Sequence, residues 1–207
     1  MLKVKKNIRY FKRLPFQVTL FGQSAGGQST AIHLMSPGSA GLFTKAIIES
    51  APFDIPFKSR VEALYLASTI VKLLNCTDAG DQYMSCLRSK TADQLAEAQH
   101  TSRKQPTSLK LLEFFEPLGP YVDGDVVPSE LIKAAYADKL RKVPLMIGTV
   151  SEEARVFVYE AWGKPLTTAE YVAVAFGTYP KHVADILVQY PPAISGDQRD
   201  LLSRCVH

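Results

Sequence analysis

Residues 18–27 read Val-Thr-Leu-Phe-Gly-Gln-Ser-Ala-Gly-Gly. A short apolar run of β character ends in Gly-x-Ser-x-Gly and feeds directly into a segment of helical character. That context turns a common pentapeptide into a nucleophile elbow, a strand-to-helix turn with a serine at its apex. The turn is tight enough to force Ser24 into a strained backbone conformation. Gly22 and Gly26 flank it because the chain passes close to itself there and a Cβ would clash. The expected result is a Ser24 hydroxyl lifted clear of the sheet. The N–H of Ala25 is then aimed where an oxyanion would form.

Around the elbow the chain alternates strand and helix. Val18–Phe21 is wholly apolar, as in a central parallel strand covered on both faces. The elbow helix runs from Ser24 to about Met35 and stops before Pro37-Gly38. Ala46–Ile48 is the next strand. A helix between two such strands makes a βαβ unit, with the strands parallel. Ser59-x-x-Glu62 is a capping box opening a long helix, with Val61, Leu64, Ala67, Val71 and Leu74 on one face. Thr91-x-x-Gln94 and Thr167-x-x-Glu170 start two more helices. Residues 101–118 read as irregular and Tyr121–Pro128 as a turn. Val143–Val150 is a third apolar strand. Ser151–Glu160 passes from loop into helix, and Tyr190-Pro-Pro192 breaks the last region.

Bulk properties are those of a globular α/β domain: 46% hydrophobic, 21% charged and a net charge of +4 over 207 residues. No apolar run reaches membrane-spanning length. Lys3, Lys5, Lys6, Arg9, Lys12 and Arg13 precede the elbow strand with no acid among them. A basic, acid-poor start suits a transit peptide or a nucleic-acid patch. The reading adopted is a solvated helix face, so no nucleic-acid partner is expected. No metal or cofactor is expected either.

The elbow segment Gln17–Gly27 resembles the nucleophile segment of type-B carboxylesterases and cholinesterases. His33-Leu-Met-Ser-Pro37, Gly41–Ser50 and Val143–Thr149 extend the likeness, which runs from about Val4 to Cys205. The resemblance implies a partial α/β-hydrolase fold, a mostly parallel central sheet flanked by helices. It implies one partial domain over 1–207, truncated at both ends, with Met1 marking a truncation. The implied activity is hydrolysis of a small-molecule carboxylic ester through an acyl-enzyme on Ser24. A non-catalytic cholinesterase-like adhesion or binding domain is the alternative. That class typically loses the serine or the acid, and here both Ser24 and Glu153 are present.

The family orders its triad as serine, acid, histidine. The serine hydroxyl becomes a competent nucleophile when an imidazole takes its proton, and the acid orients that imidazole. Gly148–Phe157 resembles the family's acid loop, and alignment on Gly148 and Phe157 makes Glu153 the acid, with Glu152 its neighbour. The residues alone also allow a helix start decorated with two carboxylates. His33 and His100 precede the acid. His182 falls in a surface helix and His207 is the last residue, so all four histidines read as structural or exposed. The family's glycine-rich oxyanion loop lies upstream of the elbow and has no counterpart here, which leaves Ala25 as the one donor. Lys12-Arg-Leu14, Gln23 and Ala51 depart from the family pattern. Phe57 takes the place of an acyl-wall aromatic, or packs simply in the core.

The same resemblance implies a Cys76–Cys86 disulfide and pairs Cys205 with a later cysteine. Three free thiols is the reading without it. Asn75-Cys76-Thr77 is an N-glycosylation sequon. Together these place the parent protein outside the cell or in the ER lumen.

Overall fold

The computed structural model describes all residues except 12–13, 15, 54, 78–81, 103–117 and 206–207. The chain forms two compact units, Met1–Asp54 with Leu131–His207, and Ile55–Glu130.

The first unit holds a sheet of strands β1 (Thr19–Gln23), β2 (Lys45–Glu49) and β3 (Leu145–Gly148) in the order β1-β2-β3. All pairings are parallel, as the βαβ reading requires, and the register aligns Gln23 with Glu49 and Glu49 with Gly148. Helix α1 (Leu2–Asn7) carries the basic N-terminus on an exposed face. Lys12 and Arg13 lie outside the described residues. Helix α2 (Ala25–Met35) ends at the residue before Ser36-Pro37, where the stop signal stands.

Strand parity explains which side of the sheet α2 covers. A Cβ on Gly22 would run into Gly26, so Gly22 faces α2. Ile48 pairs with Gly22 and Ala46 lies two residues before it, so both share that face; both are buried. Phe21, Ile47 and Met146 form the row on the opposite face. There Phe21 is 72% exposed and Met146 67%. β1 is thus an edge strand covered on one face within the described residues, not the doubly covered central strand its composition suggests. The centre belongs to β2.

Helices α7 (Arg155–Ala161), α8 (Thr168–Thr178), α9 (Val183–Gln189) and α10 (Arg199–Cys205) build a separate core. Leu166 and Tyr171 are wholly buried at its middle, with Val158 and Leu202 against them. The Tyr171 hydroxyl donates to the Tyr190 carbonyl at 2.8 Å. Thr167 caps α8 with Glu170, both bonds of the box being made. Asp197 accepts the Leu166 N–H and pairs with Arg199, whose guanidinium also donates to the Trp162 carbonyl. Free Cys205 is buried in this core. Helix α6 (Leu131–Tyr136) packs on α2.

The second unit contains α3 (Arg60–Leu73), α4 (Tyr83–Arg88) and α5 (Ala92–Ser102). The Ser59–Glu62 capping box is complete, and Thr91 and Gln94 exchange the corresponding bonds at the start of α5. The expected stripe holds at the end of α3 and fails at its start. Val61 (76% exposed) and Leu64 point to solvent, while Leu66 and Thr69 turn inward. Leu74 is buried against Ala98 of α5, and Val71 packs on the same cluster with Ile70 and Leu73. The Tyr121–Pro128 segment is a turn in which the Asp123 carboxylate accepts the N–H groups of Asp125 and Val127. The irregular stretch expected at 101–118 falls mainly on 103–117, outside the described residues.

Cys76 and Cys86 are joined, with a Cα separation of 5.8 Å. A bridge over a loop this short stabilises by about 2–3 kcal/mol in the chain-entropy account. Cys76→Ser with Cys86→Ser is expected to lower the unfolding free energy by that amount. Denaturant melts of the oxidised protein and the double variant check this, and equal midpoints refute it.

Candidate active site

Ser24 sits between the last residue of β1 and the first of α2, with φ 54° and ψ −124°. That left-handed backbone is strained for a residue with a side chain and persists only where its surroundings enforce it. Three features enforce it. The Ser24 N–H donates to the Glu49 carbonyl at 2.9 Å, fixing the turn to the end of β2. Its carbonyl accepts the Gln28 N–H and starts α2. And Gly22 lies so close to the next turn that a Cβ there would come within 2.1 Å of the Gly26 carbonyl oxygen. The second crowded glycine is Gly27 and not, as expected, Gly26: a Cβ on Gly27 would lie 3.0 Å from the Glu49 oxygen and 3.1 Å from the Ala51 Cβ, while one on Gly26 would meet nothing within 4 Å.

The Ser24 side chain makes no capping bond to α2, so the hydroxyl is not spent on the helix it opens. Ala25 is the first helical residue and is exposed. A first-turn N–H has no carbonyl behind it in the helix, so it remains a donor for a group outside.

Glu153 stands at the same edge of the sheet. It follows β3 by a short loop, and the C-terminal ends of β1, β2 and β3 are in register. Two strand spacings separate the ends of β1 and β3 by about 10 Å. The Glu153 side chain is half-buried and accepts the Val150 N–H at 2.9 Å, which folds the loop back on itself. Glu152 is exposed and pairs instead with Arg155 at 2.6 Å. The two neighbouring acids are thus divided, one shaping the loop at the sheet edge and one on the surface.

The structure does not bring a described histidine to Ser24. His33 lies two and a half turns further along α2, about 13 Å by the helical rise. Its Nδ1 shares a hydrogen bond of 2.7 Å with Ser39 Oγ. His100 is exposed in α5. His182 is largely exposed, with Asp185 its nearest acid at 3.9 Å. His207 lies outside the described residues. Phe57 belongs to the second unit, where it is buried and its N–H donates to Glu130 at 3.1 Å.

One supporting residue has no local sequence signal. Arg141 donates its guanidinium to the carbonyls of His33, Ser36 and Ser39, and its N–H to Leu34. It closes the C-terminal end of α2, where orphan carbonyls attract a cation. It also lies over the Phe43 ring, 5.5 Å from the centroid. The partners are more than 100 residues away, so only the fold reveals the role.

With strand, elbow, helix and acid loop in place, the chain belongs to the carboxylesterase family. The family's profile matches residues 2–185. The chain is 30% identical over 204 residues to the cAMP-regulated D2 protein of Dictyostelium discoideum, covering 98% of this chain and 37% of that one. It is 32% identical over 205 residues to the Crystal protein of the same organism, at 97% and 36% coverage. Mouse cholinesterase matches at 32% over 164 residues, at 77% and 26%. The chain therefore spans well under half the length of these relatives.

Two outcomes follow from the geometry. Gly22→Ala is expected to destabilise by at least the ~1–3 kcal/mol of an overpacked core site, because its clash is with backbone that cannot rotate away. A denaturant midpoint equal to wild type would contradict the close approach. The second concerns acid. Burial first, then the charges of the N-terminal amino group and Arg141, hold His33 below its ordinary value of 6.5. The unfolded chain therefore takes up the proton more readily than the folded one. Stability is full above pH 6.5 and declines as pH falls through that value. Melting temperatures measured between pH 7.5 and 5.5 should fall less in His33→Gln than in wild type, whereas parallel slopes would clear His33 of the effect.

Proposed function

We propose that the protein containing this chain is a serine hydrolase of carboxylic esters acting through an acyl-enzyme on Ser24. The observation that carries the reading is the enforced left-handed backbone of Ser24 at a strand-to-helix turn, with its hydroxyl making no capping bond to α2. Ser24 Oγ attacks the ester carbonyl, the Ala25 N–H receives the oxyanion, and the alcohol leaves. Water then releases the acid by the same route in reverse order. Glu153 orients and stabilises an imidazole, which takes the Ser24 proton and passes it to the leaving alkoxide. That imidazole, like the second oxyanion donor, is assigned to residues outside these 207.

The domain is read as one partial α/β-hydrolase domain. The Cys76–Cys86 disulfide supports an extracellular or ER-lumenal location, since such bridges persist in oxidising compartments. A non-catalytic binding or adhesion domain is the second reading. It draws on the absence of a described histidine beside Ser24 and on Glu153 bonding within its own loop.

A fluorophosphonate probe applied to the full-length protein is expected to label Ser24, and Ser24→Ala to abolish the labelling. Labelling that survives this substitution, or an intact protein inert to the probe, would leave the binding-domain reading standing. The 207-residue chain alone is expected to show no p-nitrophenyl ester turnover above its Ser24→Ala control. Loss of a triad member leaves only about 10³–10⁴-fold catalysis over water from the oxyanion hole and binding. Removing one oxyanion donor takes about 10²–10³ more from turnover.

A further inference from the structure

Asn75, Cys76 and Thr77 stand at the end of α3, and each has a different environment. Asn75 is exposed with φ 53°. Its N–H donates to the Lys72 carbonyl, while the Cys76 N–H reaches back to Val71. These two bonds make a Schellman cap with Asn75 in the left-handed position, where asparagine is the usual substitute for glycine. The cap uses the backbone of Asn75 and leaves its side-chain amide free for chemistry. Thr77 is exposed as well. Cys76 between them is buried and bonded to Cys86. The chain has only two asparagines, Asn7 and Asn75, and Asn75 alone heads an N-x-S/T triplet.

Beside Asn75 lies an open groove of about 460 Å³ within the second unit. Its lining includes Leu73, Lys90, Asp93, Gln94, Glu97 and Thr101. Carboxylates, an amide and a hydroxyl beside an apolar side chain suit the hydroxyl edge and apolar face of a pyranose.

We propose that Asn75 carries an N-linked glycan whose first sugars lie along this groove, and that it is attached before the Cys76–Cys86 bridge closes. The proposal rests on the secretory location given above. The donor is a lipid-linked oligosaccharide diphosphate. A bond forms between Asn75 Nδ2 and the anomeric carbon of the first N-acetylglucosamine, and the anomeric carbon–oxygen bond to the diphosphate breaks. The lipid diphosphate leaves with the electron pair, and Nδ2 gives up one proton. The acceptor triplet must bind in extended form with the threonine hydroxyl turned toward the asparagine amide. In the folded chain the middle residue is buried, disulfide-bonded and held in the Schellman cap. Transfer therefore belongs to the unfolded, reduced chain, and bridge formation competes with it.

The full chain is expressed behind a cleavable ER-targeting leader in a eukaryotic host and secreted material is mapped. The expected result is one glycosidase-sensitive step in mobility, with Asn75 converted to aspartate mass on enzymatic release. Thr77→Ala keeps Asn75 and its helix cap, and should abolish the step. Cys86→Ser removes the competing bridge and should raise occupancy at Asn75 above wild type. Asn75 found unmodified in material whose Cys76–Cys86 bridge is closed, and unmodified again in Cys86→Ser, overturns the proposal while leaving the secretory reading intact. Occupancy equal in wild type and Cys86→Ser overturns the order of events. Natural full-length protein with both thiols free and Asn75 bare would sink the secretory reading, and this proposal with it.

Discussion

The close approach of Gly22 to Gly26 is the constraint on which the rest of the first unit depends. A β-strand can hand over to a helix in one residue only if the helix axis starts against the strand's own last turn. That requires hydrogen in place of Cβ at Gly22, and a short Gly27 against Glu49 and Ala51. The left-handed Ser24 follows as a geometric consequence, its strain compensated by the Glu49 and Gln28 bonds. The helix so placed covers Ala46 and Ile48, and these supply the buried side of the sheet. The strained Ser24 turn and the core of the βαβ unit thus have a common origin.

The two ends of α2 are stabilised by opposite means. At its start, donors are left open and the small residues Ala25, Gly26 and Gly27 keep the approach clear. At its finish, carbonyls are met by a cation. Arg141 gathers three of them and buries its planar face on Phe43. Guanidinium is suited to this because it offers several donors in a fixed plane and keeps its charge. His33 bears a cost there: burial first, then the positive charges of the N-terminal amino group and Arg141, lower its pKa.

Local signals were read well from the sequence, because each is fixed within a few residues. The elbow, the stop at Pro37, the capping boxes at Ser59 and Thr167, and the Asp123 turn all depend on neighbours. The parallel pairing of β1 with β2 followed from the helix between them, and the Cys76–Cys86 pairing came from family likeness. What was misread depends on partners distant in sequence. At the start of α3 the chain buries Leu66 and Thr69 and exposes Val61 and Leu64, a choice hydrophobicity alone could not make. Phe21 looks like core in a linear sequence, yet strand parity turns it away from α2. Arg141 showed no signal at all, since its acceptors are backbone carbonyls, which every residue possesses.

The same logic bears on how the candidate site holds together. Ser24 and Glu153 follow different strands and share no described contact, yet a short chain of hydrogen bonds runs between them. Ser24 N–H donates to the Glu49 carbonyl; Ser50 N–H donates to the Gly148 carbonyl; and Val150 N–H is held by Glu153. Glu49 and Ser50 are adjacent, and Ser50 is itself left-handed, at φ 50°. The single peptide unit between Glu49 and Ser50 therefore turns its carbonyl toward the elbow and its N–H toward the end of β3. These two bonds are main-chain bonds, so they depend on the register of three parallel strands and not on particular side chains. That register is specified by which residues of β2 are buried, Ala46 and Ile48, and a one-residue slip would turn them away from α2. The positions of Ser24 and Glu153 thus derive from the buried pair of apolar side chains in the middle strand.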